Sequence, residues 1–105
     1  DNDLRIRRLL QEARDPETAV ILLDVVLGYG AHPNPAAELG PAIREAYQIA
    51  SQAGRALRVV ASVTGTEEDP QSLSRQVRAL EEAGAEICPS NAAAARLAAR
   101  LLLGA

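Results

Sequence analysis

The chain has 105 residues and no Phe, Trp or Met, which predicts one domain with an aliphatic core. Its net charge of −3 and its content of only 2 tyrosines argue against nucleic-acid binding. The absence of lysine excludes a lysine-based phosphate loop. The chain has one cysteine, no signal peptide and no apolar run near the ~20 residues that span a bilayer. We therefore expect a cytoplasmic protein with no internal disulfide, nucleic-acid partner or membrane contact.

Hydrophobic periodicity and turn residues predict an alternating order, α-β-α-β-α-β-α. The expected elements are a helix from Asp3 to Asp15, a strand at Ala19–Val26, a helix from Asn34 to Gly54, a strand at Leu57–Val63, a helix from Pro70 to Gly84, a strand at Ala85–Cys88 and a helix at Ala92–Leu103. Asn34-Pro35 and Asp69-Pro70 each suggest a helix start, since proline suits the first helical position. Gly40-Pro41 is a point where the second helix could kink or restart.

The first strand is an apolar run broken only by Asp24, which is typical of a strand covered on both faces by helices. Right-handed crossovers predict a parallel three-stranded sheet in the order 1-2-3, in a three-layer α/β fold. The first strand then lies at an edge, yet Ala19–Leu23 lacks the charge, proline or bulge that usually protects edges. We therefore expect another element to cover it, either sequence preceding Asp1 in a longer protein or a second copy in a homo-oligomer.

Ligands of parallel sheets bind beyond the carboxyl ends of the strands, and polar residues and glycines follow each strand here. The candidate ligand-binding residues are Gly28, Gly30, His32, Asn34, Thr64, Gly65, Thr66, Ser90 and Asn91. Together with helix N-termini they could hold a small anion such as a carboxylate, phosphate or carbamoyl group. Each of them is equally well explained as a helix cap or a turn residue.

No residue is assigned a catalytic role, although His32 and Asp24 are weak candidates. The imidazole of His32 could act as an acid or base near neutral pH, or simply pack on the surface of its loop. We expect Asp24 to be nearly buried and to accept hydrogen bonds from loop amides or an arginine, because burying an unpaired carboxylate is costly. The acidic run Glu67–Asp69 could bind Mg²⁺, but more often such a run is a solvated helix start, and no metal site is assigned.

The chain resembles the C-terminal part of FdrA-family proteins, which are relatives of the succinyl-CoA synthetase alpha subunit and its CoA-ligase domain. The most specific segments are DVVLGYGAHPNP at Asp24–Pro35 and SNAAAA at Ser90–Ala95, and the likeness runs from Asp15 to Leu102. It implies a flavodoxin-like domain that opens upstream of Asp1. It also implies a role in acyl-CoA ligase-type or carbamoyl-transfer chemistry beside other domains or subunits of a parent protein. CoA, where the parent uses it, is expected mainly in a separate N-terminal domain.

One loop departs from the synthetase pattern. In the synthetases the loop after the second strand is glycine-rich and carries a histidine that is phosphorylated during turnover. Here that loop, Thr64–Pro70, has no histidine and carries three carboxylates that repel a phosphoryl group. The phosphohistidine role does not transfer to His32, which lies on another loop. We expect the chain alone to be inactive, and the alternative function is a non-catalytic assembly module.

Overall fold

The computed structural model describes residues 2–28, 34–69 and 71–103, and in these ranges four helices and three strands alternate in the predicted order. The elements are α1 (Asn2–Arg14), β1 (Val20–Val26), α2 (Pro35–Gln52), β2 (Arg58–Thr64), α3 (Leu73–Glu82), β3 (Glu86–Cys88) and α4 (Asn91–Leu102). The predicted α/β fold is confirmed.

The strands form one parallel sheet in the order β1-β2-β3. Asp24 of β1 lies opposite Ser62 of β2, and Ser62 lies opposite Cys88 of β3. Because all strands run the same way, the connections that follow them begin at the same edge of the sheet. This edge is the place where the sequence predicts a ligand site.

The helices lie on both faces of the sheet. The main core packs α1, α2 and α3 against one face, with Leu9, Leu39, Ile43 and Leu80 almost fully buried. The fourth helix packs against the other face around a smaller cluster that includes Val60, Cys88 and Ala94. The placement of α2 and α3 on one face is the one expected of right-handed crossovers.

The ends of α1 and α2 are fixed by polar contacts. The guanidinium of Arg55, just after α2, donates to the main-chain carbonyls of Ala13 at 2.6 Å and Asp15 at 2.9 Å. These bonds satisfy carbonyls that the C-terminus of α1 leaves without helical partners. The second helix begins at the predicted cap, since the Asn34 side chain accepts from the Ala37 amide at 3.3 Å. It continues through Pro41 without a break.

The start of α3 differs from the sequence prediction. The helix begins at Leu73, whereas Pro70 lies outside the described residues. Its cap is the Glu67 carboxylate, which accepts from the Ser74 amide at 2.7 Å and from the hydroxyls of Ser72 and Ser74, both at 3.0 Å. These hydrogen bonds lower the pKa of Glu67 below its ordinary value. The predicted cap-plus-proline start at Asp69-Pro70 was therefore wrong, because an acid earlier in the loop reaches forward to the helix.

Tyr47 connects α2 to β2 and to the turn after α3. Its hydroxyl donates to the Gly84 carbonyl at 2.6 Å and accepts from the Val59 amide at 3.0 Å. Gly84 has φ +108°, and a Cβ built there would lie 2.7 Å from Cε2 of the Tyr47 ring. Both the backbone angle and the close ring require glycine at this position.

In the part of the chain that the structure describes, one face of β1 is buried and the face toward α4 is covered only in part. Ile21 and Val25 are buried in the main core, but Leu22 is 52% exposed and Val26 is 56% exposed on the opposite face. Helices lie on both faces of the sheet, as predicted, but α4 covers β1 only in part. Val20 packs with Val60 and Cys88 against α4, whereas Leu22 and Val26 do not belong to this cluster.

Candidate functional site

The connections after β1 and β2 are packed together at the carboxyl edge of the sheet. The Leu27 amide donates to the Thr64 carbonyl at 2.8 Å. A Cβ built on Gly65 would lie 2.7 Å from the Cβ of Leu27, so only glycine allows the two connections to approach this closely. Gly28 follows at once, with φ +148°. The structure therefore brings Gly28, Thr64 and Gly65 together, as the parallel topology predicts.

Two buried glutamines complete this part of the edge. The Gln71 side chain accepts from the Gly28 amide at 3.2 Å and donates to the Gly28 carbonyl at 2.8 Å. Gln76 accepts from the Ala36 amide at 2.9 Å and donates to Oδ1 of Asn34 at 3.0 Å. Among the described residues, no buried side-chain nitrogen or oxygen atom is left without a hydrogen-bond partner. The glutamines thus attach both Gly28 and Asn34 to the segment that includes α3.

The acidic connection after β2 uses its polar groups within its own turn and at α3. The Thr66 amide donates to Oδ2 of Asp69 at 2.7 Å, and the Thr66 hydroxyl accepts from the Glu68 amide at 3.2 Å. Glu67 caps α3, as described above. In the described ranges, no group of three or more His, Cys, Asp or Glu residues has a metal-binding arrangement. The bonds of this loop are those of a turn and a helix start.

Asp24 and Asn91 meet at Ser62, on the face of the sheet that carries α4. The Ser62 hydroxyl is 1% exposed, donates to Oδ1 of Asp24 at 3.1 Å and also contacts Oδ1 of Asn91. The expected near-burial of Asp24 was wrong, since the residue is exposed. Its expected arginine contact involves the main chain instead, because the Arg5 guanidinium donates to the Asp24 carbonyl oxygen. A buried hydroxyl, rather than loop amides, is therefore the partner of the carboxylate.

Ser90 acts as the predicted cap of α4, because its hydroxyl accepts from the Ala93 amide at 3.1 Å. Ser90 is therefore bonded to α4, and Asn91 contacts Ser62 of β2. Gly28 and Asn34 form a separate group, because they are bonded to Gln71 and Gln76. The predicted residues Gly30 and His32 lie outside the described residues, and their place in the site stays a prediction.

Three polar residues of this region, Ser62, Gln71 and Gln76, were not predicted from the sequence. A signal was present for two of them. Ser62 interrupts the apolar strand β2, as Asp24 interrupts β1. Gln76 is three residues after Leu73 and four before Leu80, so it lies on the buried side of α3. No local pattern marks Gln71, whose partner Gly28 is 43 residues away.

A groove of about 520 Å³ runs between α1 and the free edge of β1. It is lined by Arg5, Arg8, Leu9 and Glu12 from α1 and by residues 20–24 of β1. This groove is separate from the predicted ligand site beyond the strand ends. No helix of the described ranges has the length and apolar character needed to cross a membrane.

A parallel sheet with helices on both faces defines the three-layer α/β class of folds. The sequence profile of the CoA-ligase family matches residues 1–101, and the chain belongs to this family. It is 46% identical over 87 residues to the uncharacterized protein YahF of Escherichia coli strain K12. That similarity covers 83% of this chain but only 17% of the relative's length.

Proposed function

We propose that the chain is part of an FdrA-like protein and contributes to an acyl-CoA ligase-type or carbamoyl-transfer site. The observation that carries this proposal is the CoA-ligase match over residues 1–101, on a fold whose first two strand-end connections are packed together. The residues that the sequence singled out in the described part of those connections are Gly28, Asn34, Thr64, Gly65 and Thr66. Their role is to hold a small anion, a carboxylate, phosphate or carbamoyl group.

In this proposal, the chain supplies hydrogen-bond donors for the anion and one titratable side chain. Thr64 is exposed at the end of β2 and brings its hydroxyl to the edge, whereas the Thr66 amide is bound to Asp69 and orders the turn beside it. His32, as proposed from the sequence, adds an imidazole that exchanges a proton near neutral pH. Ser90 and Asn91 belong to the same proposal as the contribution of the third strand-end connection.

CoA itself does not fit this edge. A CoA nucleotide carries several phosphates, and nearby carboxylates oppose their combined negative charge more strongly than the charge of one small anion. The connection after β2 carries Glu67, Glu68 and Asp69, and its Thr66 amide donates to Asp69. We therefore assign CoA to another part of the longer protein, as the resemblance implies, and derive no step through it here.

An assembly module is the second candidate function. The specific observation in its favour is the apolar surface that α4 leaves exposed on β1, where Leu22 and Val26 are more than half exposed. The partner of this surface is another domain or subunit of the parent, or a second copy of the chain. In this case the strand-end residues serve only as caps and turns.

Thermal-shift measurements test the choice between the two functions. With phosphate, oxamate, carbamoyl phosphate and CoA as probes, we expect the small anions to raise the melting temperature and CoA to have no effect. The shift should be lost in His32→Ala and kept in Gln48→Ala, which changes an exposed residue on α2. If none of the small anions shifts the transition, the assembly module is favoured.

The absence of a histidine from the connection after β2 gives a second prediction. Incubation with ATP, or with succinyl-CoA and phosphate, should leave the chain unmodified when its intact mass is measured. A phosphohistidine in wild-type protein that disappears in His32→Ala would contradict the proposal, because it would show that a histidine of another loop performs the synthetase reaction.

A further inference from the structure

Gln71 binds the main chain of Gly28 as a neighbouring strand would. Its side-chain amide accepts from the Gly28 N–H and donates to the Gly28 carbonyl, so both polar groups of this peptide position are engaged. Gln71 is 5% exposed. A buried amide is tolerated only where its hydrogen bonds are made, because an unpaired one costs desolvation energy.

Gln76 has the corresponding role at the start of α2. It accepts from the Ala36 amide and donates to Asn34, which itself caps the helix through the Ala37 amide. Its amide also donates to the main-chain carbonyl of Gln71 at 3.4 Å. Gln76 is 4% exposed, and its bonds to the Ala36 amide and the Gln71 carbonyl are buried, where hydrogen bonds are stronger than in water.

We propose that Gln71 and Gln76 are positioning residues of the strand-end site. Gln71 attaches Gly28, just after β1, and Gln76 attaches Asn34, the cap of α2, to the polypeptide around the start of α3. The two glutamines thereby set the spacing between the connection after β1 and the connection after β2. This inference rests on the proposed anion site, whose donors come from both connections.

Methionine replacements remove these hydrogen bonds while nearly keeping side-chain length. In Gln71→Met, amide hydrogen exchange should rise about tenfold at Gly28 but stay unchanged at Leu27, whose acceptor is the Thr64 carbonyl. In Gln76→Met the same increase is expected at Ala36.

Phosphate affinity tells a positioning role of the two glutamines from a role in stability alone. Residues that only stabilise the fold should not change this affinity while the protein stays folded. At a temperature where all variants are folded, both methionine variants should bind inorganic phosphate about tenfold more weakly than wild type. The matched control is Ile43→Val, which removes a methylene from a residue that is fully buried in the main core. It should lower the melting temperature and leave the phosphate affinity within about twofold of wild type.

The outcomes separate this inference from the proposed function. Faster exchange together with weaker phosphate binding supports both. Unchanged exchange at Gly28 and Ala36 overturns the inference, and so does faster exchange with phosphate affinity no weaker than that of Ile43→Val. A wild-type chain that binds neither phosphate nor oxamate overturns the proposed function itself, and the positioning role with it.

Discussion

Ser62 is a buried polar residue of β2 that contacts Asp24 of β1 and Asn91 of α4. Its hydroxyl has two side-chain neighbours, Asp24 and Asn91, and both of these residues are exposed to solvent. Loss of one neighbour leaves the other in place. Loss of both leaves a buried hydroxyl without a partner, which costs about 1–3 kcal/mol.

A double-mutant cycle measures this dependence. Asp24→Ala and Asn91→Ala are each expected to lower the free energy of unfolding by about 1 kcal/mol or less. The double variant should lose more than the sum of the two, because only there is the Ser62 hydroxyl unpaired. Urea denaturation gives the three values. Strict additivity would mean that the hydroxyl does not depend on these two side chains.

The lowered pKa of Glu67 predicts that the stability of the fold depends on pH. Its pKa in the folded state is lowered from 4.5, chiefly by the hydrogen bonds from Ser74 and Ser72. A lowered folded-state pKa contributes stability that is fully present above the unfolded-state value and lost as pH falls through the folded-state value. The melting temperature of Glu67→Gln should therefore lie below that of wild type at pH 7, and the gap should close on acidification below pH ~4.

The control for this experiment is Glu68→Gln, which removes the same charge from the adjacent position of the loop. Its melting temperature should follow that of wild type more closely at every pH, since the cap of α3 is retained. An equal effect of the two substitutions would assign the stability to the loop charge rather than to the cap.

At the scale of elements, the packing of α2 on the turn after α3 depends on Gly84. The φ of +108° is unfavourable for a residue with a Cβ, and the Tyr47 ring occupies the space where the Cβ would be. Gly54, after α2, also has a positive φ, +71°, but no atom lies within 4 Å of its Cβ position. A side chain at Gly54 would therefore meet backbone strain alone, whereas one at Gly84 would meet both strain and a steric clash.

Alanine substitutions test this distinction. Gly54→Ala should cost about 1–2 kcal/mol, the expense of a left-handed backbone for an L-residue. Gly84→Ala should cost clearly more, because the Tyr47 ring must also move and its hydroxyl bond to the Gly84 carbonyl is disturbed. Chemical denaturation of both variants checks the order. Equal losses would show that the ring adapts without cost.

The order and type of the elements could be predicted from the sequence because they depend on local apolar spacing. The start of α3 could not, since its cap is Glu67, whose carboxylate reaches forward to Ser74. The exposure of Asp24 could not either, because it depends on where α4 packs across the sheet. Of the site, the close approach of Leu27 to Thr64 and Gly65 follows from parallel topology, whereas the role of Gln71 depends on a contact that only the folded chain reveals.

At the scale of the whole molecule, β1 is the open boundary of the sheet. The first helix lies on the same face as α2 and α3, next to this boundary, and the groove between them has a volume of about 520 Å³. A helix that connects a preceding parallel strand to β1 by a right-handed crossover would lie on that face. The arrangement supports the proposal that a further strand of a longer protein pairs with β1.

Without such a strand, the exposed edge and face of β1 favour association between copies of the chain. Analytical ultracentrifugation at high protein concentration should reveal self-association, and Leu22→Lys should reduce it. Leu103→Lys, at an 83% exposed position after α4, is the control and should have little effect. A wild-type chain that stays monomeric throughout the concentration range would remove a second copy from the candidate partners.

The hydroxyl of Tyr47 gives the protein a natural spectroscopic probe. The chain has 2 tyrosines and no tryptophan, so its near-ultraviolet emission comes from tyrosine alone. In Tyr29→Phe the remaining signal arises from a phenol held between the Val59 amide and the Gly84 carbonyl. Its intensity then follows the docking of α2 onto the sheet without any attached dye, and stopped-flow mixing can time this step during refolding.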